Sequence, residues 1–191
     1  MDPGTYFTNP HMTAEGLMCQ GVPFSTISEW LSKGLIVRTE RGVYSLPGTK
    51  DDVYALIQGR YRRCVFSGIT ALNLLGLSNH VSERYHVTFP KGYNPSSLDS
   101  SPWKLSVTRS VPEIYDMGIC TVTTPGGDDV RVYCRERALC DMFRGKGLPA
   151  FIVSNAMRTY MSSDSRDTEL LMSYAERLHV SDRVRIFTEM L

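Results

Sequence analysis

The chain has 191 residues, 42% of them hydrophobic and 21% charged, with a formal net charge of +1. That describes an ordinary globular protein of one or two domains, long enough for a real core. It contains no run of eighteen apolar residues and no charged-then-apolar start, so neither a spanning helix nor a secretory leader is expected. Five cysteines (Cys19, Cys64, Cys120, Cys134, Cys140) are odd in number and form no CxxC pair. They read as reduced, mostly buried thiols of a cytoplasmic protein, not as a disulfide frame or a zinc site.

Residues 1–12 carry Pro3, Gly4, Asn9 and Pro10 and predict no helix of any length. From Thr13 to Leu46 the pattern sharpens. Thr13 can cap a short helix through Glu15, Leu17 and Met18, and Gly21 supplies a turn. Pro23 or Ser25 opens a second helix with Ile27, Trp30 and Leu31 on its apolar face, and Gly34 stops it. Residues 35–38 and 42–46 read as two strands joined across Thr39, Glu40 and Arg41. Two short helices around a glycine turn, followed by a hairpin, are the layout of a winged helix-turn-helix. The further helix that normally precedes the pair is not written in residues 1–12. Either the chain begins short of its natural start, or another element covers the apolar face of Leu17 and Ile27.

If this stretch reads DNA, Ser25, Thr26 and Ser28 face base edges or phosphates, and Lys33, Arg38 and Arg41 hold the backbone. Glu29 on the same face repels phosphate. Residues 1–47 hold three basic side chains against four acidic, so non-specific affinity should be weak. The alternative is that the serines and threonine form a merely solvated face.

Pro47-Gly48-Thr49-Lys50 is a break, and the domain boundary is expected there, giving a winged domain over 1–47 and a second domain over 48–191. Asp51 or Asp52 starts a helix through Val53, Leu56 and Ile57. Cys64-Val-Phe is a short buried strand, and Ser67 caps a helix that ends at Gly76. Strands follow at 85–89, 105–109, 119–123 and 130–133, with a polar loop over 92–102 and a solvated hairpin turn at Gly126-Gly127-Asp128-Asp129. The sheet is expected to be small and mostly antiparallel. From Cys134 onward the chain reads as helical. Arg137 and Asp141 are placed to pair in the first helix. Apolar faces follow on three more: Ile152, Ala156 and Tyr160; Leu170, Leu171, Tyr174 and Leu178; Val184, Phe187 and Leu191. The fold class is therefore α+β with a helical end.

Signals for catalysis are poor. Ser67 lies between a strand and a helix, but Val65 stands where a nucleophile elbow needs glycine. His11, His80, His86 and His179 have no metal spacing. Asp128, Asp129 and Glu136 suggest a carboxylate cluster for a divalent ion, although the Gly-Gly context favours a turn. Glu136, Arg137 and Asp141 read as a structural ion-pair set. No metal, no cofactor and no enzymatic activity are expected. The competing reading is a metal-dependent nuclease-like enzyme with an accessory winged domain.

The order of Cys64-Val-Phe-Ser-Gly-Ile-Thr-Ala-Leu-Asn-Leu-Leu-Gly-Leu-Ser, His86-Val-Thr-Phe-Pro-Lys-Gly, Val132-Tyr-Cys-Arg-Glu-Arg-Ala-Leu-Cys-Asp-Met and Tyr174-Ala-Glu-Arg-Leu-His-Val-Ser-Asp-Arg-Val-Arg-Ile-Phe, after the hairpin, resembles the AbiEi-type antitoxins. The resemblance covers roughly residues 13 to 191. It implies a non-enzymatic antitoxin of a type IV toxin–antitoxin system active in abortive phage infection. Its partners would be operator DNA, bound for autorepression of the operon, and a nucleotidyltransferase-like toxin, opposed by residues 48–191. Arg158, Arg177, Arg183 and Arg185 on the helical end are the candidate antitoxin surface. A third reading keeps this fold but makes the winged domain a protein-interaction module.

Overall fold

Thr13 ends a three-residue strand, β1 (His11–Thr13), and its hydroxyl accepts the Gly16 N–H at 3.0 Å to open α1 (Ala14–Cys19). The computed structural model describes residues 2–95, 98–144 and 149–189. Gly21 (φ +86°) turns the chain into α2 (Phe24–Ser32), and Gly34 (φ +68°) ends it, both in the left-handed region that a side chain resists. β2 (Val37–Glu40) and β3 (Val43–Ser45) form the expected hairpin. β1 lies where the sequence predicts no element. It is too short for a periodicity, and its partner β3 is supplied 32 residues later, His11 pairing antiparallel with Ser45 and Thr13 with Val43. The sheet order is β1-β3-β2.

Leu17 and Ile27 are covered without an α-helix ahead of α1. Residues 2–12, where the sequence predicts no helix, hold a single 3-10 turn, Pro3–Thr5, because Pro3 suits a first helical position and the Asp2 side chain caps it. Leu17 and Ile27 join Met12, Val22, Trp30, Ile36 and Tyr44 in one cluster, against which Tyr6 and Phe7 of the N-terminal segment pack, with the Tyr6 ring 5.9 Å from that of Trp30. Trp30 is inward as expected, but Leu31 is 38% exposed. One more residue around a nine-residue helix is enough to leave the buried stripe. Trp30→Ala should destabilise the protein by about 3–5 kcal/mol, the usual cost of truncating a buried large aromatic. A thermal melt superimposable on wild type would show that the indole contributes no packing.

The expected boundary after residue 47 falls inside a compact unit, which comprises Met1–Arg62 together with Thr121–Val130. The reason is α3 (Val53–Arg60), capped by Asp52, whose carboxylate accepts the Tyr54 N–H at 2.9 Å. Leu56, Ile57 and Tyr61 are buried, and Gly59 lies so close to Val43 of β3 that any side chain there would collide with it. The Pro-Gly break is a turn within the unit.

The second unit, Arg63–Cys120 with Arg131–Leu191, opens with β4 (Val65–Phe66) and α4 (Gly68–Leu74). Ser67 precedes α4 but makes no capping bond. Its hydroxyl accepts from Thr88 at 2.9 Å instead. Next along the chain come β5 (Tyr85–Pro90), β6 (Leu105–Ser110), α5 (Pro112–Tyr115), β7 (Ile119–Thr123) and β8 (Asp129–Tyr133), in the sheet order β6-β5-β4-β8-β7, with Thr121–Thr123 of β7 and Asp129–Val130 of β8 counted in the first unit. The sheet is mixed: β4 is antiparallel to β5 but parallel to β8, and β5 runs parallel to β6 through six register pairs. The chain between β5 and β6 is long enough for a crossover, so β6 starts level with Tyr85 rather than folding back as a hairpin.

Four helices close the unit: α6 (Arg135–Arg144), α7 (Ala150–Met161), α8 (Thr168–Arg177) and α9 (Ser181–Glu189). Ile152, Ala156, Tyr160, Leu171, Leu178 and Val184 are buried as their spacing predicts. Phe187 packs edge-on to Phe143 at 5.2 Å, and Leu191 lies outside the described residues. Arg137 is 1% exposed. It donates to Asp141 at 3.0 Å and to the carbonyls of Ile114 and Met117, and lies over the Tyr133 ring at 4.3 Å. Burial pushes the Cys140 thiol up to about 12 and the Cys134 thiol up to about 11, so both are poor nucleophiles. Among the described residues no helix is long and apolar enough to cross a membrane.

Candidate nucleic-acid interface

α2 buries Ile27 and Trp30, and the helical period turns Ser25, Ser28, Glu29 and Ser32 outward, with Thr26 half-buried. The Ser28 hydroxyl donates to the Phe24 carbonyl one turn back at 3.1 Å, and Ser32 donates to Glu29 at 2.8 Å. Each oxygen keeps its lone pairs, so it can accept from a base amino group while bonded, but must release its own bond to donate to phosphate.

Lys33 Nζ sits 2.5 Å from Glu29 Oε1, with both side chains well exposed. This hydrogen bond and the ammonium charge hold the Glu29 carboxyl below the usual carboxylate range. At neutral pH the two charges therefore offset one another on this face. On the hairpin, the Arg41 N–H donates to Glu40 Oε1 at 2.7 Å, and Arg60 Nη1 reaches the same oxygen at 3.2 Å. Arg38 spends only its Nε, on the Glu40 carbonyl at 3.4 Å. The guanidinium groups of Arg38 and Arg41 are exposed and belong to no ion pair among the described residues. Of the six predicted contact residues, these two arginines and the α2 hydroxyls are available to a ligand, and Lys33 is only partly so.

Three further cations, Lys50, Arg60 and Arg62, lie beyond the expected boundary at residue 47 and belong to the same unit. Arg60 and Arg62 are paired with Glu40 and Glu15. With them the unit holds six basic and eight acidic side chains, net −2. The face is also apolar in part: Phe24 is 57% exposed, and Leu31, Leu35 and Val37 are exposed as well.

The aspartates set aside as a solvated turn are not alike. Asp128 is buried, accepting the His11 N–H and bonding His11 Nδ1, both at 2.7 Å. Its own N–H donates to the Thr124 hydroxyl at 3.1 Å, and that hydroxyl donates to Asp52. Gly126-Gly127 suggested a solvated turn, because nothing near in sequence shows that His11 supplies the partner. Asp129 is exposed and accepts from Thr123 at 2.7 Å. Glu136 is buried against the Tyr160 hydroxyl at 2.9 Å, away from the Arg137–Asp141 pair with which it was grouped. Each carboxylate of the suggested metal cluster thus has its own protein partner.

Of the candidate antitoxin arginines, Arg158 is exposed on α7, Arg177 in the last turn of α8, and Arg185 on α9. Arg183 is engaged: its Nη1 donates to the Phe143 carbonyl at 2.7 Å, tying α9 to the end of α6.

No family model and no curated protein matches this chain. Among solved structures it is similar to the RV2827C protein from Mycobacterium tuberculosis, at 14% identity and a TM-score of 0.41, over 93% of this chain and 75% of that one.

Proposed function

We propose that the first unit is a winged helix-turn-helix that binds operator DNA, and that the protein is a non-enzymatic antitoxin repressing its own operon. The observation carrying the DNA-binding half is the α1–Gly21–α2 pair followed by the β2–β3 hairpin, with β1 closing the sheet in the order β1-β3-β2 and Arg38 and Arg41 free on the hairpin. The antitoxin half, and the toxin as antagonist, rest on the resemblance of the ordered motifs in residues 64–187 to AbiEi-type proteins.

At most three cations face DNA, so log K against log salt should have a slope of about −3 per subunit, at roughly −0.9 for each neutralised phosphate. Arg41→Ala should flatten the slope by about one and weaken all sequences alike, whereas Ser28→Ala should change sequence preference. Glu29→Gln should strengthen binding, since it removes the charge that occupies Lys33. The measurement is titration of the upstream operon region at several salt concentrations. No shift at low salt, or one indifferent to Arg38 and Arg41, would reject DNA reading. Co-expression with the neighbouring reading frame tests the other half: Arg38→Ala/Arg41→Ala protein should still protect cells while losing repression.

A second reading, a winged protein-interaction module, is favoured by one specific observation: the exposed apolar set Phe24, Leu31, Leu35 and Val37 on and after α2. Loss of repression on Phe24→Ser with the salt slope unchanged would point to that reading.

A further inference from the structure

Helix α7 is two-faced. Ile152, Ala156, Met157 and Tyr160 are buried, while Phe151, Asn155, Arg158 and Thr159 recur on the outer side at the spacing of one helical stripe. That stripe forms one wall of an open groove of about 530 Å³, and residues 76–80, after α4, form the other. The second wall is held in place. Leu77 N–H donates to the Leu72 carbonyl at 2.8 Å, Asn73 Nδ2 to the His80 carbonyl at 2.8 Å, and His80 N–H to the Ser78 hydroxyl at 3.1 Å. Phe151 is 59% exposed and meets the His80 ring edge-on, with centroids 6.3 Å apart.

The lining combines three chemistries. Phe151 offers apolar surface, while Leu77 is buried. The carboxamides of Asn79 and Asn155, one on each wall, make no side-chain hydrogen bond with another described residue. Arg158 is the permanent charge of the lining, which contains no carboxylate, and it has no ion-pair partner among the described residues. A carboxamide presents one acceptor and two donors side by side, which matches the N–H and C=O of a peptide unit. A guanidinium fork matches a carboxylate.

We propose that this groove docks an extended, acidic peptide segment of a partner protein. The partner's Asp or Glu pairs with Arg158, its backbone is held by Asn79 and Asn155, and an adjacent apolar side chain lies on the exposed Phe151 ring. Charge decides between this and a phosphorylated ligand. A phosphate monoester carries about −1.5 to −2 at neutral pH, which one guanidinium does not balance, whereas a single carboxylate is matched one to one. The proposal stands whether or not the second unit opposes a toxin.

The test is selection of a displayed random heptapeptide pool on the full-length protein, with counter-selection on Arg158→Glu protein. Enriched peptides should carry Asp or Glu within two residues of an aromatic or aliphatic side chain. A synthetic peptide of that kind should bind both Arg158→Glu and Arg158→Gln at least about tenfold more weakly, because a charge-assisted hydrogen bond is lost. The same loss should follow when its acidic residue is replaced by the amide. All these changes are at an exposed side chain, so melting temperatures should match wild type. No enrichment, enrichment without an acidic residue, or equal binding by wild type and both variants would overturn the proposal. So would saturable binding of adenosine monophosphate through Arg158 with no peptide selected.

Discussion

Asp128→Ala protein should melt roughly 6–20 °C below wild type, the shift expected for a loss of about 3–5 kcal/mol in a chain of this size. The His11 and Asp128 side chains are 1% and 2% exposed, and the carboxylate serves both the backbone N–H and the ring Nδ1 of His11. Removing it leaves those two donors buried without an acceptor, beside an Nε2 that already has no partner. Asp128→Asn should cost less, because the amide oxygen can still accept the His11 N–H and its NH₂ can donate to a ring nitrogen in the other tautomer. Asp129→Ala, one residue on and exposed, should stay within about 0.5 kcal/mol. Urea and thermal unfolding of the three variants provide the measurement. If Asp129→Ala proves as costly as Asp128→Ala, the hairpin turn rather than the buried pair holds the stability.

The second large effect is expected at Arg137. Its guanidinium satisfies Asp141 and two carbonyls and covers the Tyr133 ring, with 1% of the side chain exposed. Arg137→Met should cost about 3–5 kcal/mol, since the stem volume is kept but buried acceptors lose their donors. Arg137→Lys should recover only part of this, because an ammonium cannot span the same acceptors as a planar fork. Arg144 pairs with the other oxygen of Asp141 at 3.2 Å from a position 37% exposed. Arg144→Ala should therefore cost no more than about 1 kcal/mol. Equal losses at 137 and 144 would mean that the shared carboxylate, not burial of the cation, sets the energy.

What could be read from the sequence follows from the range over which each signal acts. Thr13, Asp52, Gly21 and Gly34 act within one turn of chain, and all four sit where their chemistry predicts. The apolar stripes of α2, α7, α8 and α9 run long enough for a period to show. β1 spans three residues and α5 four, shorter than any period. The parallel pairing of β5 with β6 depends on how a long loop travels, and the boundary near Arg62 on how α3 packs. At the candidate interface, outward positions were legible because burial of Trp30 fixes the helix phase. The Lys33–Glu29 pairing was available from its i,i+4 spacing alone. Burial of Asp128 was not, because its partner lies 117 residues away.

That separation has a consequence during synthesis. At about 5–20 residues per second, the ribosome needs roughly 6–23 s to pass from His11 to Asp128. Throughout that interval β1, α1, α2 and α3 are made, but His11 lacks its acceptor and Asp52 lacks the Thr124 hydroxyl. The N-terminal unit therefore waits as an unfinished nascent chain, with a buried histidine site still open to water. Its last fastening arrives only after most of the other unit's sheet has been translated.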